Sequence, residues 1–196
     1  MSLFISLQLA FAVNHFISLL IGVTLTLALG DIKAEPSLPT IKPTTLSPSE
    51  RELIDWLANR KQQMLDELKL HVEQNTGTQN VEGLNAYRSL LAQELEHLGF
   101  TTERHSSEPI SILDCAGGQF QIADHLSATR SGASKTRLFV NGHMDTVFDT
   151  SDEFQTLDID AAGTLSGPGV ADMKGGSVIL LNALRALHEF GILQEA

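Results

Sequence analysis

The sequence predicts an α/β fold: a mixed sheet with flanking helices. Three observations predict it. Apolar residues recur at three- and four-residue steps after Pro48, short Gly- and Ser-bounded runs rich in β-branched residues follow from Phe100, and a strongly apolar helix near Met173–Gly191 needs a sheet to cover. With 196 residues, 42% hydrophobic and 19% charged, the chain is long enough for one compact domain with a core.

The elements follow in chain order. From Met1 to Gly30 no acidic or basic residue occurs apart from His15, and FISLLIGVTLTLALG is nearly continuous apolar sequence. Residues 1–30 are therefore expected to be a signal peptide, with small residues at Ala28 and Gly30 for cleavage and a second choice at Ala34. The alternative is an uncleaved membrane anchor, since no Lys or Arg precedes the run and its length suffices to cross a bilayer. The expected location is periplasmic or secreted in the first case and membrane-anchored in the second. Residues 31–49 hold the prolines at 36, 39, 43 and 48 and read as an extended linker.

SPSE at 47–50 forms a capping box with proline at the first helical position, which starts a helix at Pro48. Leu53, Trp56, Leu57, Met64, Leu65, Leu68 and Leu70 give the next 25 or so residues an amphipathic pattern, with a break expected near the end. After the turn signal NTGTQN, a second helix carries Leu84, Tyr87, Leu90, Leu91 and Leu95 on one face and stops at Gly99. FTTERHS, QFQIADHLSATR and KTRLFVNGHM read as strands, and EFQTLDIDAAGTLSGPG as a hairpin turning at Ala161 to Gly163. MKGGSVILLNALRALHEFG places Leu180, Leu184 and Leu187 in helical register, with Gly191 as its stop. A crossover helix predicts a return strand, and none follows before Ala196, so the chain is expected to be an N-terminal fragment whose residues 50–196 form part of a domain.

A net charge of −11 excludes a protein that reads a nucleic-acid backbone, which needs a basic face. A single cysteine, Cys115, excludes an internal disulfide, and no base is placed to make it a nucleophile. Trp56 and Tyr87 read as core, and His188 as a helical surface histidine.

Chemistry concentrates in two stretches. In RLFVNGHMDTVFD, His143 and Asp145 lie two apart, so on a strand both face one side with about 6–7 Å between their Cα atoms. A neutral imidazole is a good zinc ligand, and a carboxylate can hold its second ring nitrogen. Taken alone, the pair reads more readily as a hydrogen-bonded strand end. In SGPGVADMKGG, Asp172 follows a Gly-Pro-Gly turn and precedes a helix, beside exposed backbone amides at the mouth of an α/β sheet. Other readings are a phosphate-cradling loop, for which the glycine and lysine spacing is wrong, and a simple strand-to-helix turn with Lys174 in solvent.

GHMDTVF followed by GPGVADMKGG resembles the co-catalytic zinc metallopeptidase and deacylase family that includes glutamate carboxypeptidase, succinyl-diaminopimelate desuccinylase and acetylornithine deacetylase. The similarity runs from about Pro48 through NTGTQNVEGLNAYRSLLAQELEHLGF to the end, and is nearest the glutamate carboxypeptidase branch. The resemblance implies the N-terminal part of a two-zinc exopeptidase catalytic domain. It implies that His143 ligates one Zn2+, that Asp172 bridges two, and that Asp145 orients His143 as a catalytic partner, with cobalt as a possible replacement metal. The family's proton-accepting glutamate and remaining ligands, and its smaller dimerising domain, are expected beyond Ala196, so the chain by itself is expected to bind metal poorly and to be inactive. The implied substrate is a small peptide, with carboxypeptidase-like release of C-terminal glutamate, or an N-acyl amino acid, and the implied complete enzyme is a homodimer. The alternative from another class is a binding or interaction module on the same scaffold.

Overall fold

The computed structural model describes residues 2–108, 110–111 and 119–195 apart from 10–45. Cys115 and most of the 1–30 and 31–49 segments fall outside these residues. The elements are β1 (Ser2–Leu9), α1 (Pro48–Ala58), α2 (Lys61–Glu73), α3 (Val81–His97), β2 (Thr101–His105), β3 (Ile110–Ser111), β4 (Gln119–Phe120), β5 (His125–Arg130), β6 (Thr136–His143), β7 (Asp158–Ile159), β8 (Leu165–Ser166), α4 (Lys174–Glu189) and α5 (Ile192–Glu195).

The helical segments begin and end where local chemistry dictates. Ser47 accepts a hydrogen bond from the Glu50 amide while the Glu50 carboxylate accepts one from the Ser47 amide at 2.6 Å, the reciprocal capping box the sequence contains. The break in the first amphipathic stretch falls at Asn59–Arg60, earlier than its expected place near the end. There the Asn59 amide bonds Asp55 and Leu57 carbonyls, and the Arg60 guanidinium sits 4.5 Å over the Trp56 ring, closing the turn. Leu70 does not share the apolar face. Leu68 and Val72 are buried four residues apart, which turns Leu70 outward at 69% exposure.

Four strands form the main sheet in the order β2-β5-β1-β6, with β1 parallel to β5 and the other two pairings antiparallel. β1 comes from the stretch expected to be a signal peptide or anchor; its backbone pairs with β5 and β6. No helix among the described residues is long and apolar enough to cross a membrane. The expected hairpin forms as β7 and β8, turning through Gly163 at φ 83°. The residues after Gly191 pack: α5 buries Leu193 completely, and Arg130 Nε donates to its carbonyl at 2.9 Å.

One core joins helices to sheet. Leu53 of α1, Leu84, Tyr87, Leu91 and Leu95 of α3, Leu126 and Ala128 of β5, and Leu181, Leu184 and Leu187 of α4 form a single buried cluster. Leu138 and Val140 of β6 pack against it from the sheet. Each large aliphatic side chain so buried contributes about 1.5–3 kcal/mol. Polar groups link the helices further: Arg185 of α4 reaches Glu67 of α2 at 2.7 Å and Glu94 of α3 at 2.6 Å, and Asn182 also donates to Glu67 at 2.7 Å. Beneath them His71 Nδ1 and the Tyr87 hydroxyl, both buried, bond at 2.9 Å. This frame brings the end of β6 and the start of α4 together at one edge of the molecule.

Candidate active site

His143 is the last residue of β6, and Asp145 lies just past the strand. The chain can reach this position because residue 142 is glycine. A Cβ there would sit 2.5 Å from Met173 Cε, and the Met173 sulfur accepts the His143 amide at 3.2 Å. The imidazole Nδ1 lies 2.9 Å from the Asp145 carbonyl and 3.4 Å from its carboxylate Oδ1. A carbonyl oxygen only accepts, so Nδ1 carries the proton and the lone pair of a neutral ring is on Nε2. The main-chain carbonyl thus shares with the carboxylate the orienting role the sequence gave to the carboxylate.

Nε2 points at Asp172, whose Oδ1 is 2.7 Å away on a side chain 86% exposed. Two acceptors at that separation share a proton, and the same pair would part slightly to take a metal ion in its place. In the metal-free protein the proton fills the role. Burial lowers the affinity of His143 for it, but the hydrogen bond and charge of Asp172 and the contacts to Asp145 outweigh burial and raise its pKa above the ordinary value of 6.5.

Asp172 follows the Gly167-Pro168-Gly169 turn and joins Met173 through a cis peptide bond. Gly169 has φ 76°, a conformation that other residues adopt at a cost. The first amides of α4, at Lys174 and Gly175, bond the Gly169 carbonyl at 2.7 and 3.3 Å, so they close the turn and are not presented to Asp172. Lys174 is buried at 2% exposure, where the sequence reading of a plain turn left it in solvent. Its Nζ donates to the Gln74 carbonyl at 2.6 Å and more weakly to Val72 at 3.4 Å, at the end of α2, and lies 5.5 Å over the Tyr87 ring. Burial lowers its pKa to about 8. An ammonium committed to a helix C-terminus is not offered to a phosphate.

Sequence reasoning took NTGTQN only as a turn. It is the support of the site. Asn75 Nδ2 donates to the Phe148 and Asp149 carbonyls at 3.3 Å each and to Gln155 at 2.8 Å. Thr78 and Thr146 pair through their backbones, and the Thr78 hydroxyl lies 2.9 Å from Asp145 Oδ2. The local signal for this was the Asn-Thr-Gly-Thr composition, which favours side-chain bonds to nearby backbone.

His143, Asp145 and Asp172 line a cleft of about 370 Å3 together with Val147, Phe148 and Val170. The donor set, an imidazole nitrogen and a carboxylate oxygen, suits zinc. His143 Nε2 and Asp172 fit as two ligands. Among the described residues no group of three or more His, Cys, Asp or Glu side chains is arranged to hold a metal ion, whereas catalytic zinc takes three protein ligands. His188 and Glu189, at the far end of α4, take no part.

The sequence profile described as peptidase family M20/M25/M40 matches residues 139–196, which include His143, Asp145 and Asp172. Carboxypeptidase G2 of Pseudomonas sp. (strain RS-16) is 32% identical over 117 residues, covering 60% of this chain and 26% of that protein. The N-formyl-4-amino-5-aminomethyl-2-methylpyrimidine deformylase of Halalkalibacterium halodurans is 44% identical over 59 residues, 28% of this chain and 14% of the relative. The corresponding deformylase of Bacillus subtilis is 31% identical over 117 residues, 58% of this chain and 25% of the relative. The chain therefore spans about a quarter or less of the length of these relatives. Among solved structures, human carnosine dipeptidase 1 superposes with a TM-score of 0.57 at 18% identity, over 71% of this chain and 31% of that one, which establishes a shared fold. The profile lies on the residues that build the cleft, and residues 139–196 are similar to peptidase family M20/M25/M40.

Proposed function

We propose that this chain carries part of the metal centre of a zinc-dependent hydrolase of amide bonds, with His143 and Asp172 as metal ligands and Asp145 holding the imidazole. The observation that carries the reading is the pair of facing acceptors, His143 Nε2 and Asp172 Oδ1, 2.7 Å apart in an open cleft with Nδ1 already committed to Asp145. A dication bound there would polarise a scissile carbonyl. Asp172, exposed and anionic, is suited to bridge a second ion, and cobalt is a reasonable substitute for zinc. The apolar lip of Val147 and Phe148 would face the substrate, for which we propose a small peptide cleaved from its C-terminus, glutamate included. A second reading within the class, hydrolysis of an N-acyl group, draws support from the two deformylases among the relatives. Export, with the apolar run at 16–30 as its signal or anchor, is part of the proposal, as is dimerisation of the whole enzyme.

The test titrates zinc into the purified 196-residue chain. Wild type is expected to bind weakly, and His143→Ala and Asp172→Ala to lose about tenfold or more in affinity. Equal affinity in the three proteins would exclude the cleft as the metal site. Release of glutamate from a peptide against release of formate from a formamide separates the two substrate readings in the whole enzyme, since the chain by itself is expected to be inactive.

A further inference from the structure

We propose that Thr78 is a positioning residue of this metal centre: its hydroxyl anchors the Asp145 carboxylate and, through it, the imidazole that presents Nε2 to the metal. The inference deepens the metal-centre reading and rests on it. Thr78 stands 67 residues before Asp145 in the chain, on the turn between α2 and α3. Its Oγ1 lies 2.9 Å from Asp145 Oδ2, and the other oxygen of that carboxylate, Oδ1, lies 3.4 Å from His143 Nδ1. The two oxygens of one carboxylate are divided between a hydroxyl on one side and the imidazole on the other. A carboxylate turns easily about its last torsion, which has broad minima. A donor on Oδ2 removes that freedom and keeps Oδ1 beside the ring.

The hydroxyl is itself firmly placed. The Thr78 amide donates to the Thr146 carbonyl at 3.0 Å, the Thr146 amide donates to the Thr76 carbonyl at 2.9 Å, and Gly77 bridges Thr146 in parallel. Asn75 fastens the same turn to the carbonyls of Phe148 and Asp149. Thr78 Oγ1 also lies 3.2 Å from the Thr146 carbonyl, so its one proton has two acceptors within reach, and the charged oxygen at the shorter distance is the stronger. The side chain thus couples a short, backbone-paired turn to the carboxylate behind the ligand, in the way outer-sphere partners of metal ligands fix ring orientation and basicity.

The test compares zinc affinity, by competition with a chromogenic chelator, for the wild-type 196-residue chain, Thr78→Val, Thr78→Ser, Asp145→Ala and the Thr78→Val/Asp145→Ala double variant. Thr78→Val, which keeps the shape and loses the donor, is expected to weaken binding about 10–100-fold. Thr78→Ser, which keeps the donor, stays close to wild type. In the Asp145→Ala background the valine should add nothing, because its effect travels through that carboxylate. Wild-type affinity in Thr78→Val, or an undiminished loss in the Asp145→Ala background, overturns the proposal. Crystal structures of the single variants decide the same point without metal: the Asp145 carboxylate stays beside Nδ1 in Thr78→Ser and turns away in Thr78→Val, and an unmoved carboxylate in Thr78→Val overturns it. A wild-type chain that refuses zinc would sink the metal-centre reading, and the crystal structures would then still settle the positioning role.

Discussion

Replacing Arg185 by methionine should cost about 2–3 kcal/mol, and the structure supplies each part of that figure. The guanidinium spans two helices, with Nη1 2.7 Å from Glu67 Oε2 and Nη2 2.6 Å from Glu94 Oε2. Glu67 is 16% exposed, so its bond to arginine is largely shielded and its loss costs about 1.5–3 kcal/mol. Glu94 is 36% exposed, and its share is screened to below about 1 kcal/mol. The total of about 2–3 kcal/mol sits at or below the low end of the roughly 3–5 kcal/mol typical of breaking a fully buried pair, because water reaches part of this one and Asn182 still bonds Glu67. The assay is equilibrium urea unfolding at pH 7, with Arg185→Lys as a control that can reach only one carboxylate and should lose less. The pH dependence has a fixed sign. Burial raises the Glu67 pKa, but hydrogen bonds from Arg185 and Asn182 and the Arg185 charge outweigh it and hold the carboxyl below its usual 4.5. The stabilisation is therefore present above pH 4.5 and lost as pH falls through the folded-state value, so the difference between wild type and Arg185→Met should shrink in acid. A loss under 0.5 kcal/mol at pH 7, or a difference that persists undiminished in acid, would refute the reasoning.

Two further outcomes are expected. In the metal-free chain Asp172→Ala should lower the pKa of His143, followed by NMR of the imidazole, because burial opposes the charged ring and Asp172 supplies the largest contribution against it. With its folded pKa raised, the stabilisation from His143 is complete below pH 6.5 and lost as pH rises through the folded value, so an unchanged titration would contradict the Asp172 contact. Gly169→Ala should destabilise by about 1–2 kcal/mol from the left-handed backbone alone. The Lys174 stem lies 3.0 Å from the added methyl and would make the loss larger, so thermal unfolding at wild-type temperature would be the wrong result for this turn.

What could be read from the sequence was mostly local. Ser47 and Glu50 announced a helix start, Gly99 and Gly191 announced stops and take φ of 80° and 74°, and the leucine steps of α3 and α4 identified faces that are buried. His143, Asp145 and Asp172 were visible as a set because the glycines and strand pattern around them are contiguous. Contacts between distant segments were not visible. Lys174 meets Gln74 at a separation of 100 residues and Thr78 meets Asp145 at 67, and no periodicity encodes such pairings. Ser2–Leu9 shows the complementary ambiguity: an apolar run suits a strand paired along both edges as well as it suits a membrane span, since both leave no backbone group without a hydrogen-bond partner. Leu70 misled for a simpler reason, lying two residues from Leu68 where the helix turns by about 200°.

The backbone pairing of Thr76 and Thr78 with Thr146 has a consequence for how the cleft opens. The amide protons of Thr78 and Thr146 are held only while the turn after α2 rests against the chain after β6. Neither belongs to a regular helix or a long ladder, so their exchange with solvent should report a local excursion, cheaper than global unfolding. The two amides should exchange in step, as a pair of clocks inside the cleft wall, and any ligand that closes the site should slow both together.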